Sequence, residues 1–352
     1  MSSTFDQYRH ELDALRFSDA ALERMTIRLQ DASASTTAKR PTHRILRIAA
    51  SLLIATGIGL GATGAHAVAT QHSLSTVFSD IFGSAPAQTE IIEKIGRPIG
   101  ATVTNNGVTV TADAIIGSSN SCTIVFSISR DNGKPFPNLT PAGDSTFPLL
   151  WSESSAEIDG TRGLGSGAYF YDADPSDSSI QYVYTITNAT APDGNGLTGR
   201  TTRVHLSDLL MASEEADNTE LIAKGSWDLK FQLDYQDSSV AIQAGQKLEF
   251  NGMSVTLDKL SVSPVGASIT YTVDAVSTDS QGPDELPSDK FRRLPFVVTL
   301  TNGRTLDGTD PDASTRERGA STIVTKSFMF DAIVNASDIA SVTVGDQVVP
   351  VR

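Results

Sequence analysis

Asn106-Gly-Val-Thr-Val-Thr-Ala-Asp-Ala-Ile115 is matched without a gap by Asn251-Gly-Met-Ser-Val-Thr-Leu-Asp-Lys-Leu260. At the same offset of 145 positions (residue 106 to residue 251), Cys122-Thr-Ile-Val-Phe-Ser-Ile128 meets Ala267-Ser-Ile-Thr-Tyr-Thr-Val273. Asn-Gly tolerates positive φ at both central positions of a two-residue hairpin turn, so each copy opens on a tight turn. The alternation that follows has period two, which sends successive side chains to opposite faces of a strand. One supersecondary unit therefore starts each of two domains. Cys122, Ile124, Phe126 and Ile128 fall on one strand face and Thr123, Ser127 and Ser129 on the other. Cys122 aligns with Ala267, which reads as a small buried hydrophobe rather than a reactive thiol.

Further strands are expected at 168–172, 180–187, 201–206, 226–235, 295–301 and 321–330. In 226–235, Trp227, Leu229, Phe231 and Leu233 alternate with Asp228, Lys230, Gln232 and Asp234, the pattern of a half-buried strand that closes the first domain. Short strands joined by Gly-, Pro-, Asp- and Ser-rich turns, with no crossover helices, favour antiparallel β-sandwiches over α/β folds. The fold class is thus mainly β, with a first sandwich at 98–237 and a second at 238–352. Residues 133–179 read as loop-rich, with prolines at 135, 137, 141 and 148 and a glycine cluster at Gly163–Gly167.

Upstream, Leu74, Val77, Phe78, Ile81 and Phe82 follow helical spacing, Pro86 interrupts, and Ile91, Ile92 and Ile95 continue it. These residues form a helical stalk over 70–97, or a cap on the first outer domain. Ile48 to Ser79 contains no Lys, Arg, Asp or Glu, and the apolar stretch 48–69 is long enough to cross a bilayer as a helix, which takes about 20 residues. Lys39, Arg40, Arg44 and Arg47 precede it and Asp80 is the first charge after it, so the positive-inside rule puts the N-terminus in the cytoplasm and the C-terminal part outside. Ala65-His66-Ala67 resembles a signal-peptidase pattern, but a segment of 47 residues that includes acidic side chains stands before the apolar run, and this argues for an uncleaved anchor.

The head, 1–47, holds eight basic against six acidic residues and is too short for a core of its own. It does carry a marked helix. Ser18 is a good N-cap, Phe17 can staple to Leu22, and Leu22, Met25 and Leu29 share an apolar face. Such a face seeks a partner protein or the lipid bilayer, so Phe17, Leu22, Met25 and Leu29 are the candidate partner-binding residues.

With these parts in order, the chain resembles an uncharacterised bacterial family of single-pass membrane proteins with a short cytoplasmic amphipathic head and immunoglobulin-like outer domains. The resemblance is carried by Leu15-Arg-Phe-Ser-Asp-Ala-Ala-Leu-Glu-Arg-Met25, the anchor, Asn106–Asp113, Gly225-Ser-Trp-Asp-Leu-Lys-Phe231 and Ile339-Ala-Ser-Val-Thr-Val344. Members look like membrane-bound anti-sigma factors, which implies a cytoplasmic sigma factor as partner. The chain departs from the zinc type of that class, because residues 1–47 contain no Cys. The other reading is an envelope-facing binding or adhesion module that touches a cell-wall component.

Several function classes are disfavoured. The net charge is -14, and the basic surplus is confined to the head, so the large part lacks the concentrated basic surface that nucleic acid requires. One Cys excludes an internal disulfide framework and Cys-rich zinc patterns. Of five His, His10, His43, His66 and His72 precede the β domains, leaving His205 followed by Asp208. No serine is specified to converge on it, so it reads as an ordinary strand-end His. The acidic groups Asp172/Asp174/Asp177 and Asp307/Asp310/Asp312 lack the Gly and bidentate Glu spacing of a calcium loop. In Gly163-Leu-Gly-Ser-Gly167 the serine is not centred as in a nucleophile elbow and no Lys follows, which leaves loop punctuation. No enzyme, catalytic residue, metal or cofactor is expected.

Overall fold

The computed structural model describes residues 73–351 apart from 138, 140–145, 175–176, 192, 213–218, 277–288 and 310–312. The expected head and anchor, with Phe17, Leu22, Met25, Leu29, Arg44 and Arg47, lie outside the described residues. Among the described residues, no helix is long and apolar enough to cross a membrane.

The chain is mainly β, arranged in antiparallel sheets. The first sheet runs β1 (Arg97–Asn105), β2 (Val108–Gly117), β3 (Cys122–Arg130), β7 (Ser179–Thr187), β6 (Gly165–Tyr171), β4 (Thr146–Phe147). Facing it is the order β5 (Leu149–Ile158), β8 (Thr201–Met211), β9 (Glu220–Gln232). In the second half one sheet runs β10 (Val240–Ile242), β12 (Met253–Ser263), β13 (Gly266–Val273), β17 (Ser321–Met329), β16 (Ser314–Arg318), with β11 (Lys247–Phe250) also on β12. Its counterpart runs β15 (Thr305–Asp307), β14 (Phe296–Leu300), β18 (Ile339–Val344), β19 (Gln347–Pro350). Each pair of sheets encloses its own apolar core, giving two sandwich-like layers.

The repeat extends to irregularities. Asn106 and Gly107 have φ of 47° and 76°, and Asn251 and Gly252 have 52° and 74°, the left-handed pair that a primed hairpin turn demands. Both copies then carry a β-bulge, between Ala112 and Ala114 and between Leu257 and Lys259, and the extra residue is an aspartate each time. Asp113 Oδ2 accepts from Ser127 Oγ at 2.5 Å, and Asp258 Oδ2 accepts from Thr272 Oγ1 at 2.6 Å. A bulge leaves one residue out of the ladder, and here its carboxylate is tied to the neighbouring strand.

The first core centres on Trp227, which is fully buried and donates from Nε1 to Val108 O at 3.0 Å. Burying such a ring removes roughly 150–250 Å² from water, worth about 4–6 kcal/mol at about 25 cal/mol per Å². Cys122 is buried as expected from its register, and burial pushes its thiol up to about 12.

Three expectations need correction. Besides the strand expected at 168–172, which is β6, the stretch 133–179 contains β4 and β5 where loop was expected. In β5 the buried residues are Leu149 and Trp151 before, and Ile158 after, an odd spacing that breaks period two and hides the strand from sequence. Its partner β8 changes face in the same place, from Thr202, Val204 and Leu206 to Leu209, where Asp208 takes φ of 36°. Second, Gly165, Ser166 and Gly167 begin β6, so only the start of the glycine cluster punctuates a loop. Third, β3 is buried on both faces through residues 122–126.

The last correction has its cause in two helices, α1 (Leu74–Phe82) and α2 (Pro86–Ile95). Ser73 caps α1 by accepting from Thr76 N, and Pro86 sits at the start of α2, where its missing N–H costs nothing. Phe78, Phe82, Ile92 and Ile95 form a third core with Ala114, Ile116 and Val125 of the first sandwich and Val265 and Ile333 of the second. Phe82 O also accepts from Ile333 N at 3.2 Å, and Ile95 O from Gln236 N at 3.0 Å. The residues expected as a stalk or as a cap on the first domain thus do cover that domain, and they are a wedge shared with the second half as well.

A buried polar belt joins the halves beside this wedge. Asn188 N donates to Ser327 Oγ at 2.6 Å, Ser327 N donates to Asn188 Oδ1 at 2.6 Å, and Ser121 Oγ donates to Ser327 Oγ at 2.8 Å. Ser268 Oγ donates to Asn120 Oδ1 at 3.2 Å. Buried polar groups paired in this way fix one relative placement of the layers they join.

Candidate functional site

At the side of the first sandwich away from β1, each sheet ends. β5 is the outer strand of its sheet, and β4 covers β6 only at Phe170 and Tyr171. Between these edges lies a cleft of about 250 Å³. Its opening follows from residue size. Ala168 pairs with Tyr184 and Ser166 with Ile186, so β6 turns two small side chains toward the interior where its next inward residue, Phe170, is large. Across the gap stand Trp151 and Ser154 of β5.

The walls are aromatic. Phe170 and Tyr182 have ring centroids 4.6 Å apart, Trp151 meets Tyr182 edge-on at 5.9 Å, and Tyr182 stacks on Tyr184 at 5.9 Å. The polar groups are hydroxyls and one indole. Ser154 Oγ and Tyr182 OH are 3.0 Å apart, and burial raises the Tyr182 hydroxyl pKa against the opposing effect of that bond. Trp151 is 7 % exposed and its Nε1 has no hydrogen-bond partner. Tyr184 is 5 % exposed, and among the described residues its hydroxyl makes no hydrogen bond. None of the lining side chains is charged at neutral pH. The cleft therefore offers an apolar, ring-lined space with one buried donor, the Trp151 N–H, unused, the usual composition of a small-ligand site.

A wider recess of about 510 Å³ lies at the turn end of the same sandwich, beside Asn106, Arg130, Asp131, Phe136 and Lys224. Three of its polar side chains are engaged: Arg130 Nη1 donates to Pro135 O, Asp131 Oδ1 accepts from Thr109 Oγ1, and Asn106 Nδ2 donates to Lys224 O. The smaller cleft is the better candidate.

His205 stands in the middle of β8 rather than at a strand end. Its Nδ1 is 2.7 Å from Asp228 Oδ1 and its Nε2 is 3.9 Å from Glu153 Oε2. Ser155 is its cross-strand neighbour in β5 and Asp228 in β9, so the sheet lays Ser155, His205 and Asp228 in a row. No hydrogen bond joins Ser155 to the imidazole, and the row lies on an exposed sheet face whose amides belong to the ladder, leaving no oxyanion donors.

Asp172 and Asp177 each accept from a backbone N–H two residues on, as Asx turns do. Asp307 does the same with Thr309 N, while Asp310 and Asp312 lie outside the described residues. No cluster of three metal-binding side chains occurs among the described residues. Sequence reasoning missed the cleft, although the small run Gly165-Ser-Gly-Ala168 and the alternating Tyr182 and Tyr184 were its available signals.

No protein-family model and no curated protein matches the chain. Among solved structures it is similar to the conserved domain protein from Bacillus anthracis, with 14 % identity and a TM-score of 0.44 over 70 % of this chain and 75 % of that one. It is also similar to the CupB6 tip adhesin from Pseudomonas aeruginosa, with 11 % identity and a TM-score of 0.15 over 68 % of this chain and 85 % of that one. Both scores are too low to carry an argument about fold or role.

Proposed function

We propose that the chain is a single-pass membrane protein of anti-sigma-factor type, regulating through protein contact rather than catalysis. In this reading 48–69 anchors it, Arg44 and Arg47 hold the N-terminus in the cytoplasm, and Phe17, Leu22, Met25 and Leu29 bury against a sigma factor. The two immunoglobulin-like sandwiches are the extracytoplasmic sensor. The observation that supports this best is the wedge: Phe78, Phe82, Ile92 and Ile95 share one core with both sandwiches. A sensor has to pass an outer event toward its anchor, and α1 begins at Leu74, five residues beyond the end of the expected span.

A photo-crosslinker at position 25, in cells, followed by mass spectrometry of the captured species, tests the proposal. A captured sigma factor, lost in the L22D/M25D variant while the outer part stays folded, is the expected result. Crosslinks to lipid alone, or capture that survives the double substitution, refute it. The second reading, an envelope-facing binding or adhesion module without a cytoplasmic partner, is favoured by the aromatic cleft and predicts that the same substitutions are silent.

A further inference from the structure

We infer that the cleft between β5 and β6 binds an uncharged peptide segment, which inserts one apolar side chain between Trp151 and Tyr184 and offers main-chain carbonyls to their unpartnered donors. This goes beyond the proposed function, which leaves the outer ligand unnamed.

The argument comes from comparing the two repeats. Ile124 faces Tyr184 across β3 and β7, and its repeat mate Ile269 faces Lys326 across β13 and β17, so Tyr184 and Lys326 hold one structural position. In the second sandwich that position is saturated by peptide. Lys326 is 1 % exposed and its Nζ donates to Arg292 O at 2.8 Å, Leu294 O at 3.2 Å and Thr309 O at 3.1 Å. The segment supplying the first two carbonyls also buries Phe291 and Leu294 completely, and Phe291 O accepts from Tyr271 OH at 2.5 Å. A donor at this position is thus satisfied, in the same chain, by backbone carbonyls flanked by apolar side chains.

In the first sandwich the corresponding position holds Tyr184, whose hydroxyl makes no hydrogen bond among the described residues, and the same cleft is lined by Trp151, whose buried Nε1 is unpartnered. Three further features fit a peptide. The cleft lies between the edges of β5 and of β6 before Phe170, which have no partner strand among the described residues, and there an extended segment can add main-chain hydrogen bonds. It is free of charge in a chain of net charge -14, which disfavours ionic ligands. At about 250 Å³ it is smaller than the pockets of roughly 300–1,000 Å³ that take drug-sized molecules, and suits one side chain.

The chain has two tryptophans, so 5-fluorotryptophan labelling of the full chain in detergent gives two ¹⁹F resonances, assigned with W151F. Trp227 is the internal reference, because its N–H is already held by Val108 O. N-acetyl-leucinamide, an uncharged amide with one apolar side chain, is the probe, and N-acetylglucosamine is its counterpart of similar polarity. The expected result is a saturable shift of the Trp151 line with the amide alone, abolished in A168L, which fills the cleft. Y184F removes one hydrogen bond and weakens binding about two- to tenfold. If A168L does not fold, as the Trp227 line reports, Y184F and the sugar control still decide. No saturable shift, a shift produced by the sugar and not the amide, or an unchanged affinity in Y184F overturns the inference. The readout does not involve the head, so its failure is distinct from failure of the sigma-factor reading.

Discussion

Replacing Ser327 by Ala tests whether the two sandwiches form one cooperative body. Ser327 Oγ accepts from Asn188 N at 2.6 Å and from Ser121 Oγ at 2.8 Å, and Ser121 and Asn188 are almost fully buried. The substitution removes one oxygen and strands two donors. A buried donor left unpaired costs about 1–3 kcal/mol. The Ser121 hydroxyl can rotate whereas the Asn188 N–H is fixed in the backbone, so the expected loss is about 2–4 kcal/mol. The assay is urea unfolding of the full chain in detergent, followed by fluorescence and by far-ultraviolet circular dichroism. Trp151 and Trp227 both belong to the first core, so fluorescence follows that half and dichroism follows both. The two curves coincide in the parent chain, as one cooperative unit requires, and in S327A the transition comes earlier and the curves separate. T102A, which removes an exposed hydroxyl pair with Thr111, is the control and changes stability by less than about 0.5 kcal/mol. Coincident curves in S327A, with a loss no larger than the control's, would refute the view that the polar belt couples the halves.

Two other outcomes follow from burial. F82A empties part of the core shared by α1 and both sandwiches, and is expected to cost about 3–5 kcal/mol and to separate the same two curves; a loss below about 1 kcal/mol would show that the wedge is not integral. Burial raises the Cys122 thiol from an ordinary value of 9.0 to about 12, so the folded state keeps its proton where the unfolded chain loses it. The associated stability is fully present below 9.0 and is lost as pH rises through about 12, and at pH 8 a thiol reagent labels Cys122 only at the rate of unfolding. Rapid stoichiometric labelling of the folded chain would contradict this.

The parts of the fold legible in sequence are those in which one local rule acts alone. Asn106-Gly107 and Asn251-Gly252 impose a turn through φ, and Trp227 to Leu233 alternates because β9 has one face in the core. Where two rules meet, the pattern fails. β5 changes faces in mid-strand, so its apolar residues do not fall on one period. β3 is buried on both faces, because Val125 lies under the helical wedge while Ile124 and Phe126 lie in the first core. Lys326 looks like an exposed residue within an apolar run, and only the tertiary arrangement supplies the three carbonyls that bury it. The cleft was illegible for a related reason. Small residues in β6 and aromatic residues in β5 and β7 make a cavity only when two sheets bring them together.

The repeat makes the contrast between the halves informative, because it holds the scaffold constant. Turn, bulge and bulge aspartate are kept in both copies, down to the hydroxyl that each aspartate accepts from. The copies part at the position of Tyr184 and Lys326. An ammonium buried alone would be prohibitive, so the second sandwich is committed to closing its own chain over Lys326. A tyrosine makes no such demand. Beside the cleft the unpartnered buried donor is the neutral Trp151 indole, which tolerates a missing partner at a cost of about 1–3 kcal/mol. That cost is small enough for a sandwich braced by the wedge and the polar belt to carry, and it is recovered when an acceptor enters the cleft. The two halves thereby divide the work: the second is closed on itself and steadies the junction, while the first keeps an unsatisfied seam.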